Sequence, residues 1–185
     1  MTINKNLRAC RWPLGDSRKY RGRATFGLVH LTQTPPLLVR RRTAADDPFI
    51  ARLAKRAFQE YSARAAEETL GMARSGTAWL ACRGDERLGF VVARADGPFV
   101  AELCAIAVDE PARGQGVGAA LLERAERALA AAGVRELTLH TAEANLSALE
   151  LFLKQGFRIE RRLPRFYRGV FDACAMRKRV RSARG

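Results

Sequence analysis

"EPARGQGVGAALL", residues 110–122, sets Gly114, Gly116 and Gly118 at every second position, just ahead of an apolar run with helical spacing. Glycines before a helix N-terminus let several backbone N–H groups approach a phosphate, because the helix dipole favours the anion and no Cβ intervenes. Two registers fit this stretch. From Gly114 it scans as G-x-G-x-x-A, a loose dinucleotide fingerprint; from Arg113 it scans as R-x-x-G-x-G. A dinucleotide fold places its first glycine at the tip of a strand that opens the domain. Here Asp109, Glu110, Pro111, Ala112 and Arg113 separate Gly114 from the apolar run ending at Val108. Four strands are also expected upstream. Both facts favour the second register, and the G-x-x-x-x-G-K-[ST] pattern is absent.

The surrounding text becomes regular from Leu37. A first strand is expected over 37–41. A helix is expected over 43–61, opened by a Thr43/Asp46 capping pattern and marked by Phe49, Leu53, Ala57 and Tyr61. A second, short helix fits 63–74. Residues 77–95 read as two strands around a Gly-Asp-Glu turn, and 98–108 as another strand. Over 116–132, Val117, Leu121, Leu122, Ala125 and Leu129 line one helical face. A strand follows at 135–141, then a helix at 145–155 stopped by Gly156. Residues 157–163 and 172–180 close the chain as strands. The expected order β-α-α-β-β-β-α-β-α-β-β describes one α/β domain: a mixed, mostly antiparallel sheet with helices on both faces, not a doubly wound parallel sheet.

Composition bounds the function. The net charge is +14, but residues 1–36 carry +6 and 174–185 carry +5, leaving +3 for 37–173. The basicity lies in the ends, so any nucleic-acid or ribosome contact would be made there. Residues 1–36 lack periodicity and an apolar h-region; they read as a basic extension or a start assigned too far upstream. The domain is expected over 37–180, with a basic tail at 181–185. No apolar run approaches the ~20 residues of a membrane span. Cys10, Cys82, Cys104 and Cys174 form no C-x-x-C pair, and with only His30 and His140 beside them no metal site is expected. This cysteine usage reads as a reducing, cytoplasmic compartment.

With both ends of its core in view, "AELCAIAVDEPARGQGVGAALL" (101–122) resembles the acetyl-CoA-binding motif of the GNAT superfamily of N-acetyltransferases. "NLSALELFLKQGF" (145–157) resembles that family's second signature, N-x-x-A-x-x-x-Y-x-x-x-G-F, in the family's order. The resemblance covers the chain from about Leu37 onward. It implies that the backbone amides of Gly114, Gln115, Gly116, Val117, Gly118 and Ala119 cradle the diphosphate of coenzyme A, with Arg113 as a cation at the rim. It further implies that the pantetheine arm runs along Ile106, Ala107 and Val108 between two strands that splay apart. Asn145 corresponds to a common coenzyme contact; it is also an ordinary helix N-cap. Phe152 stands where the family usually has a tyrosine that protonates the departing thiolate. It cannot donate a proton, so water, another tyrosine such as Tyr167, or no acid at all must serve.

The family's reaction is attack of a neutral amine on the thioester, which needs a base. Glu102, eleven residues before Arg113, has the spacing of the base in the histone-acetylating branch. His140, five residues before Asn145, matches a catalytic histidine of some protein N-terminal acetyltransferases, and histidine ordinarily titrates near neutral pH. Their plainer alternatives are a solvated strand-edge carboxylate and a packed histidine. Regular alternation would put Glu102, Cys104, Ile106 and Val108 on one side of the strand. Cys104 reads as packing rather than as an acyl carrier.

The acceptor is read from "RRLPRFYRGVFDACAM" (161–176), which resembles the R-x-Y-Y…D-A-x-x-M segment of protein N-terminal and ribosomal-protein alanine acetyltransferases. Phe166 and Tyr167 hold the places of the aromatic pair that, in those relatives, grips the peptide from the loop between the last two strands. Arg158, Arg161, Arg162, Arg165 and Arg168 crowd the same segment, which suits an acidic peptide and disfavours polycations. The expected acceptor is therefore a peptide or protein N-terminal amine. A small-molecule amine is the alternative acceptor. A coenzyme-binding sensor or basic ribosome-associated module without turnover is the alternative of another class. The quaternary state is not legible.

Overall fold

The computed structural model describes residues 34–180. Of the extension expected over 1–36, residues 1–33 lie outside the described residues, as do the tail over 181–185, Cys10 and His30. Seven strands and four α-helices follow in the expected order: β1 (Leu37–Arg41), α1 (Asp47–Phe58), α2 (Ala65–Ser75), β2 (Thr77–Arg83), β3 (Glu86–Ala95), β4 (Val100–Val108), α3 (Val117–Ala131), β5 (Glu136–Ala142), α4 (Leu146–Lys154), β6 (Arg158–Tyr167) and β7 (Phe171–Arg179). The strands form one sheet in the order β1-β2-β3-β4-β5-β7-β6. Only β4 and β5 run parallel; the remaining neighbours are antiparallel. The parallel pair is the consequence of routing the chain through α3, because strands joined by a crossover can align in one direction.

Two apolar layers cover the sheet. On one face Val117, Leu121, Leu122 and Ala125 of α3 and Phe152 of α4 pack on Leu103, Leu137, Leu139 and Met176. On the other, Phe49, Ile50, Leu53 and Ala54 of α1 pack with Ala73 of α2 on Leu80, Phe90, Val92, Ala105 and Ala107. The expected helix over 43–61 is shorter than its apolar period suggested. It begins as a 3-10 turn at Ala44–Asp46, with Pro48 in the first turn of α1, and ends at Phe58. Tyr61 therefore leaves the helical stripe and sits in the α1–α2 connection.

Asp46 is fully buried at this junction. Its carboxylate accepts from the Thr43 N–H and hydroxyl, from both terminal nitrogens of Arg40, and from Arg87 Nε at 2.7 Å. The Arg40 hydrogen bond, ahead of those from Arg87 and Thr43, holds the Asp46 carboxyl well below the usual carboxylate range. Strands β1 and β3 are thereby tied to the start of α1.

One irregularity shapes the centre of the sheet. Against β3, Val92 pairs with Ala105 but Ala93 pairs with Leu103, so Cys104 is an extra residue, a β-bulge in β4. The bulge reverses alternation. Ala101 and Leu103 pack on the α3–α4 side; beyond the bulge it is Ile106 and Val108 that do so, while Ala105 and Ala107 turn to the α1–α2 side. The regular alternation expected for Glu102, Cys104, Ile106 and Val108 is thus broken between the first pair and the second.

Candidate active site

The β4–β5 ladder has only four rungs, from Val100↔Glu136 to Leu103↔Leu139. Past that point β4 stays paired with β3 as far as Gly89↔Val108, and β5 stays paired with β7 as far as Ala142↔Ala173. The two strands therefore diverge from Cys104 and His140 onward, and the inner edge of β4 from Cys104 to Val108 is left without a strand partner. Two contiguous cavities open along this wedge. One, of about 540 Å³, runs from Ile106, Ala107 and Val108 to Gly114, Gly116 and Ala119. The other, of about 410 Å³, lies between His140, Phe166 and Tyr167 on one side and Phe58, Tyr61 and Met72 on the other. Ile106, Asn145 and Ala148 line both.

The first cavity ends on the glycine loop, and the glycines have different reasons. Gly114 and Gly116 have φ of +73° and +77°, the left-handed region that side chains disfavour, and a Cβ on either would project into open space. Gly116 is the N-cap of α3. Gly118 has no such φ; its Cβ would come to 3.0 Å from Leu151 Cδ2, so it is small to let α4 pack. The first intrahelical bond is donated by Ala120 to Gly116, which leaves the amides of Val117, Gly118 and Ala119 as the unpaired donors of the helix start. Such a cradle, open where side chains at Gly114 and Gly116 would stand, fits a diphosphate. Gln115 contributes no side chain to it: its amide nitrogen donates to the Pro111 carbonyl at 2.8 Å, and its oxygen accepts from Arg83. Arg113 stands at the rim, its Nε donating to the Val108 carbonyl at 3.3 Å. Asn145 caps α4, its Oδ1 accepting from Ala148 N–H, and still lines the cleft. Phe152 is buried, packed edge-on against Phe157, with one side on the cavity.

The two candidate bases converge. Glu102 lies opposite Thr138 in the parallel ladder, so His140, two residues further along β5, emerges on the same face at the first splayed position. Its Nδ1 is 3.4 Å from Glu102 Oε1. Arg94, across the hairpin on β3, clasps the other carboxylate oxygen at 2.7–2.8 Å. The His140 ring stacks on Phe166, with centroids 4.9 Å apart and planes 21° from parallel. Phe166 meets Tyr167 edge-on, and Tyr167 packs on Tyr61, which in turn meets Phe171. Phe166 and Tyr167 belong to the end of β6 rather than to the free loop expected. A bulge places three residues opposite Asp172, with Arg165 at φ +52° donating its N–H to Asp172 Oδ1.

Burial, then the neighbouring Tyr61 and Glu102, pushes the Tyr167 hydroxyl up to about 12. Burial, then Glu102, pushes the Cys104 thiol up to about 11, so it is an inert side chain at neutral pH, in line with its reading as packing. Arg94 and Tyr61 were not singled out in the sequence. Arg94 was legible in retrospect, since the short connection after Ala95 sets it opposite Glu102. Tyr61 carried no signal beyond its place in an apolar period. Among the described residues no cluster of three His, Cys, Asp or Glu side chains forms a metal site, and no helix is long and apolar enough to cross a membrane.

A splayed parallel pair beside a glycine-built helix start is the arrangement expected of the GNAT fold. The model of the acetyltransferase (GNAT) family matches residues 45–157. The chain belongs to this family, whose members are acyl-CoA-dependent N-acetyltransferases. Among solved structures, it is similar to Ard1 from Thermoplasma volcanium, at 24% identity and a TM-score of 0.72 over 78% of this chain and 98% of that one. It is also similar to the ribosomal-protein-S18-alanine N-acetyltransferase of Escherichia coli, at 23% identity and a TM-score of 0.69 over 80% and 96%. These two likenesses concern the fold. A curated relative, the uncharacterized protein YxbD of Bacillus subtilis (strain 168), is 36% identical over 56 residues, 30% of this chain; the chain spans about a third (35%) of that relative's length.

Proposed function

We propose that this chain transfers an acetyl group from acetyl-CoA to the N-terminal amine of a peptide or protein, by direct attack within a ternary complex. The observation that supports it most is the stack of Phe166 on His140 at the first residue beyond the last β4–β5 rung. It sets an aromatic wall for a peptide against a base, at the point where amine and thioester would meet. The fold's likeness to a ribosomal-protein-S18-alanine N-acetyltransferase agrees with this acceptor.

In this reading the backbone amides of 114–119 bind the diphosphate, with Arg113 adding a cation at the rim. The free edge of β4, Ile106 to Val108, pairs with the pantetheine arm, and Asn145 and Phe152 bound it from α4. His140 is the base. With its Nδ1 turned to Glu102, its Nε2 is left to take a proton from the amine, directly or through water. Glu102, gripped by Arg94, fixes the orientation of the imidazole, as a carboxylate does for other catalytic histidines. Burial makes the Tyr167 hydroxyl a weaker acid than an ordinary tyrosine, and in this reading it serves as a wall of the acceptor cavity.

The charge around the acceptor end narrows the class. Arg162 is engaged by Glu143 and Asp172, while Arg168 lines the cavity and reaches the Glu60 carbonyl. With Arg158, Arg161 and Arg165 on the same strand, the local field favours peptides with acidic residues near the amine and opposes polyamines. Release of free coenzyme A, followed with a panel of acidic, neutral and basic peptides beside small amines, tests the proposal. Acidic peptides are expected to be acetylated fastest. Turnover of small amines alone, or of none despite coenzyme binding, would overturn it.

A further inference from the structure

Three polar or charged residues are buried among the described residues: Asp46 completely, Thr69 and Thr141 nearly so. Buried polar groups are nearly always hydrogen-bonded, so each asks where its partner is. Asp46 is fully engaged by Thr43, Arg40 and Arg87. Neither threonine hydroxyl has a hydrogen-bond partner among the described residues, and both residues line the same cavity. The sealed side-chain nitrogens without a hydrogen-bond partner among the described residues are other atoms: Trp79 Nε1, and Arg177 Nε, which lies 2.7 Å from a Glu160 carboxylate oxygen. Both hydroxyls open on the cleft rather than being sealed in the interior, so a ligand that fills the cleft and excludes water from them must supply the hydrogen bond that water makes.

The two threonines serve different ends of the cleft. Thr69 stands on α2, on the acceptor side. Thr141 lies on β5, opposite Cys174 in the β7 ladder, in the same row of inward positions as Leu137 and Leu139. That row packs into the layer that holds Phe152. Thr141 is also the second residue past the last β4–β5 rung, inside the wedge. A hydroxyl therefore occupies a core-facing position on the cavity that Phe152 also lines, where the phenyl ring has no proton to donate to sulfur.

We propose that the Thr141 hydroxyl donates a hydrogen bond to the coenzyme sulfur and stabilises the departing thiolate in place of the missing tyrosine. The proposal rests on the coenzyme reading above. The amine lone pair forms the new C–N bond, the C–S bond breaks with its electron pair leaving on sulfur, and the amine proton passes to His140. Thr141 keeps its own proton, because an aliphatic hydroxyl is too weak an acid to give it up; the thiolate takes a proton from solvent as the product leaves.

The test uses free coenzyme A bound to the full chain, with no acceptor present, so it does not depend on which amine is the substrate. Thiolate absorbance in the ultraviolet reports the pKa of the bound thiol. In Thr141→Val, which keeps the shape and removes the hydroxyl, that pKa is expected to rise by about one unit, since a hydrogen bond to the charged form favours it. Thr141→Ser is expected to restore the wild-type value. With a competent acceptor, Thr141→Val is expected to lower kcat about tenfold with the KM for acetyl-CoA unchanged, and less when combined with Phe152→Tyr. An unchanged thiol pKa in Thr141→Val would overturn the proposal while leaving the coenzyme site standing. Failure of the wild-type chain to bind coenzyme A would overturn both.

Discussion

The coenzyme end and the acceptor end of the cleft are built from different materials. At the coenzyme end the working parts are main chain: amides at the start of α3, two left-handed glycines, and a strand edge opened by a bulge. At the acceptor end they are side chains brought from five elements: Arg94, Glu102, His140, Phe166 and Tyr61 with Tyr167. A main-chain site makes narrow demands on residue type, because only glycine adopts certain conformations cheaply. A side-chain site is specified by three-dimensional placement, and many sequences could supply it. Evolution can therefore vary the acceptor end while the cradle stays fixed.

The sharpest way to break this contrast is to put a side chain into the cradle. Gly116→Glu forces a left-handed backbone on a residue with a Cβ and places a negative charge where the diphosphate would lie. Coenzyme binding by calorimetry is expected to be abolished, with the fold intact by circular dichroism; unchanged affinity would mean the cradle lies elsewhere. At the other end, His140→Ala should leave coenzyme affinity near wild type and lower kcat by about 10²- to 10⁴-fold, the usual worth of a positioned base. Glu102→Gln should cost less, because it acts through the ring. Equal losses of coenzyme affinity in both variants would show that the two ends are not separable.

A third change bears on neither end and calibrates both. Asp46→Asn removes the charge that unites Arg40, Arg87 and Thr43, and should destabilise the domain by about 3 kcal/mol, as when one partner of a buried ion pair is removed. Because the Asp46 carboxyl titrates lower in the folded chain than in the unfolded one, it contributes stability that is fully present above about pH 4 and is lost as the pH falls toward the folded value. The acid limb of the wild-type stability profile should therefore be steeper than that of Asp46→Asn; parallel limbs would contradict the assignment. The smallest effect is expected at the acceptor wall. Phe166→Ala removes a stack worth about 1 kcal/mol, so the KM for a peptide should rise about fivefold with coenzyme affinity unchanged.

The same contrast explains what the sequence disclosed. The element order was legible from periodicity, and the cradle from three glycines before an amphipathic run. Both Glu102 and His140 were legible as candidates, but not as a pair. They lie far apart in sequence, and only the parallel register, Glu102 beside Thr138, brings them within 3.4 Å. The bulge at Cys104 left no mark, since no glycine is needed there and the apolar run continues through it. The extension of β6 to Tyr167 was hidden by Pro164 and by a bulge whose extra residues are held by a single Asp172 bond. Only the backbone of Gln115 was expected in the cradle; that its side chain turns to Pro111 and Arg83 depends in part on a strand distant in sequence.

The central claim is that unpaired main-chain donors at the start of α3 grip the coenzyme while the opened edge of β4 carries its arm toward His140. A crystal structure of the chain with acetyl-CoA tests it most directly. The account predicts the diphosphate within hydrogen-bonding distance of the amides of residues 114–119 and the thioester in the wedge between Cys104 and His140. A diphosphate bound elsewhere, or a thioester outside that wedge, would contradict it.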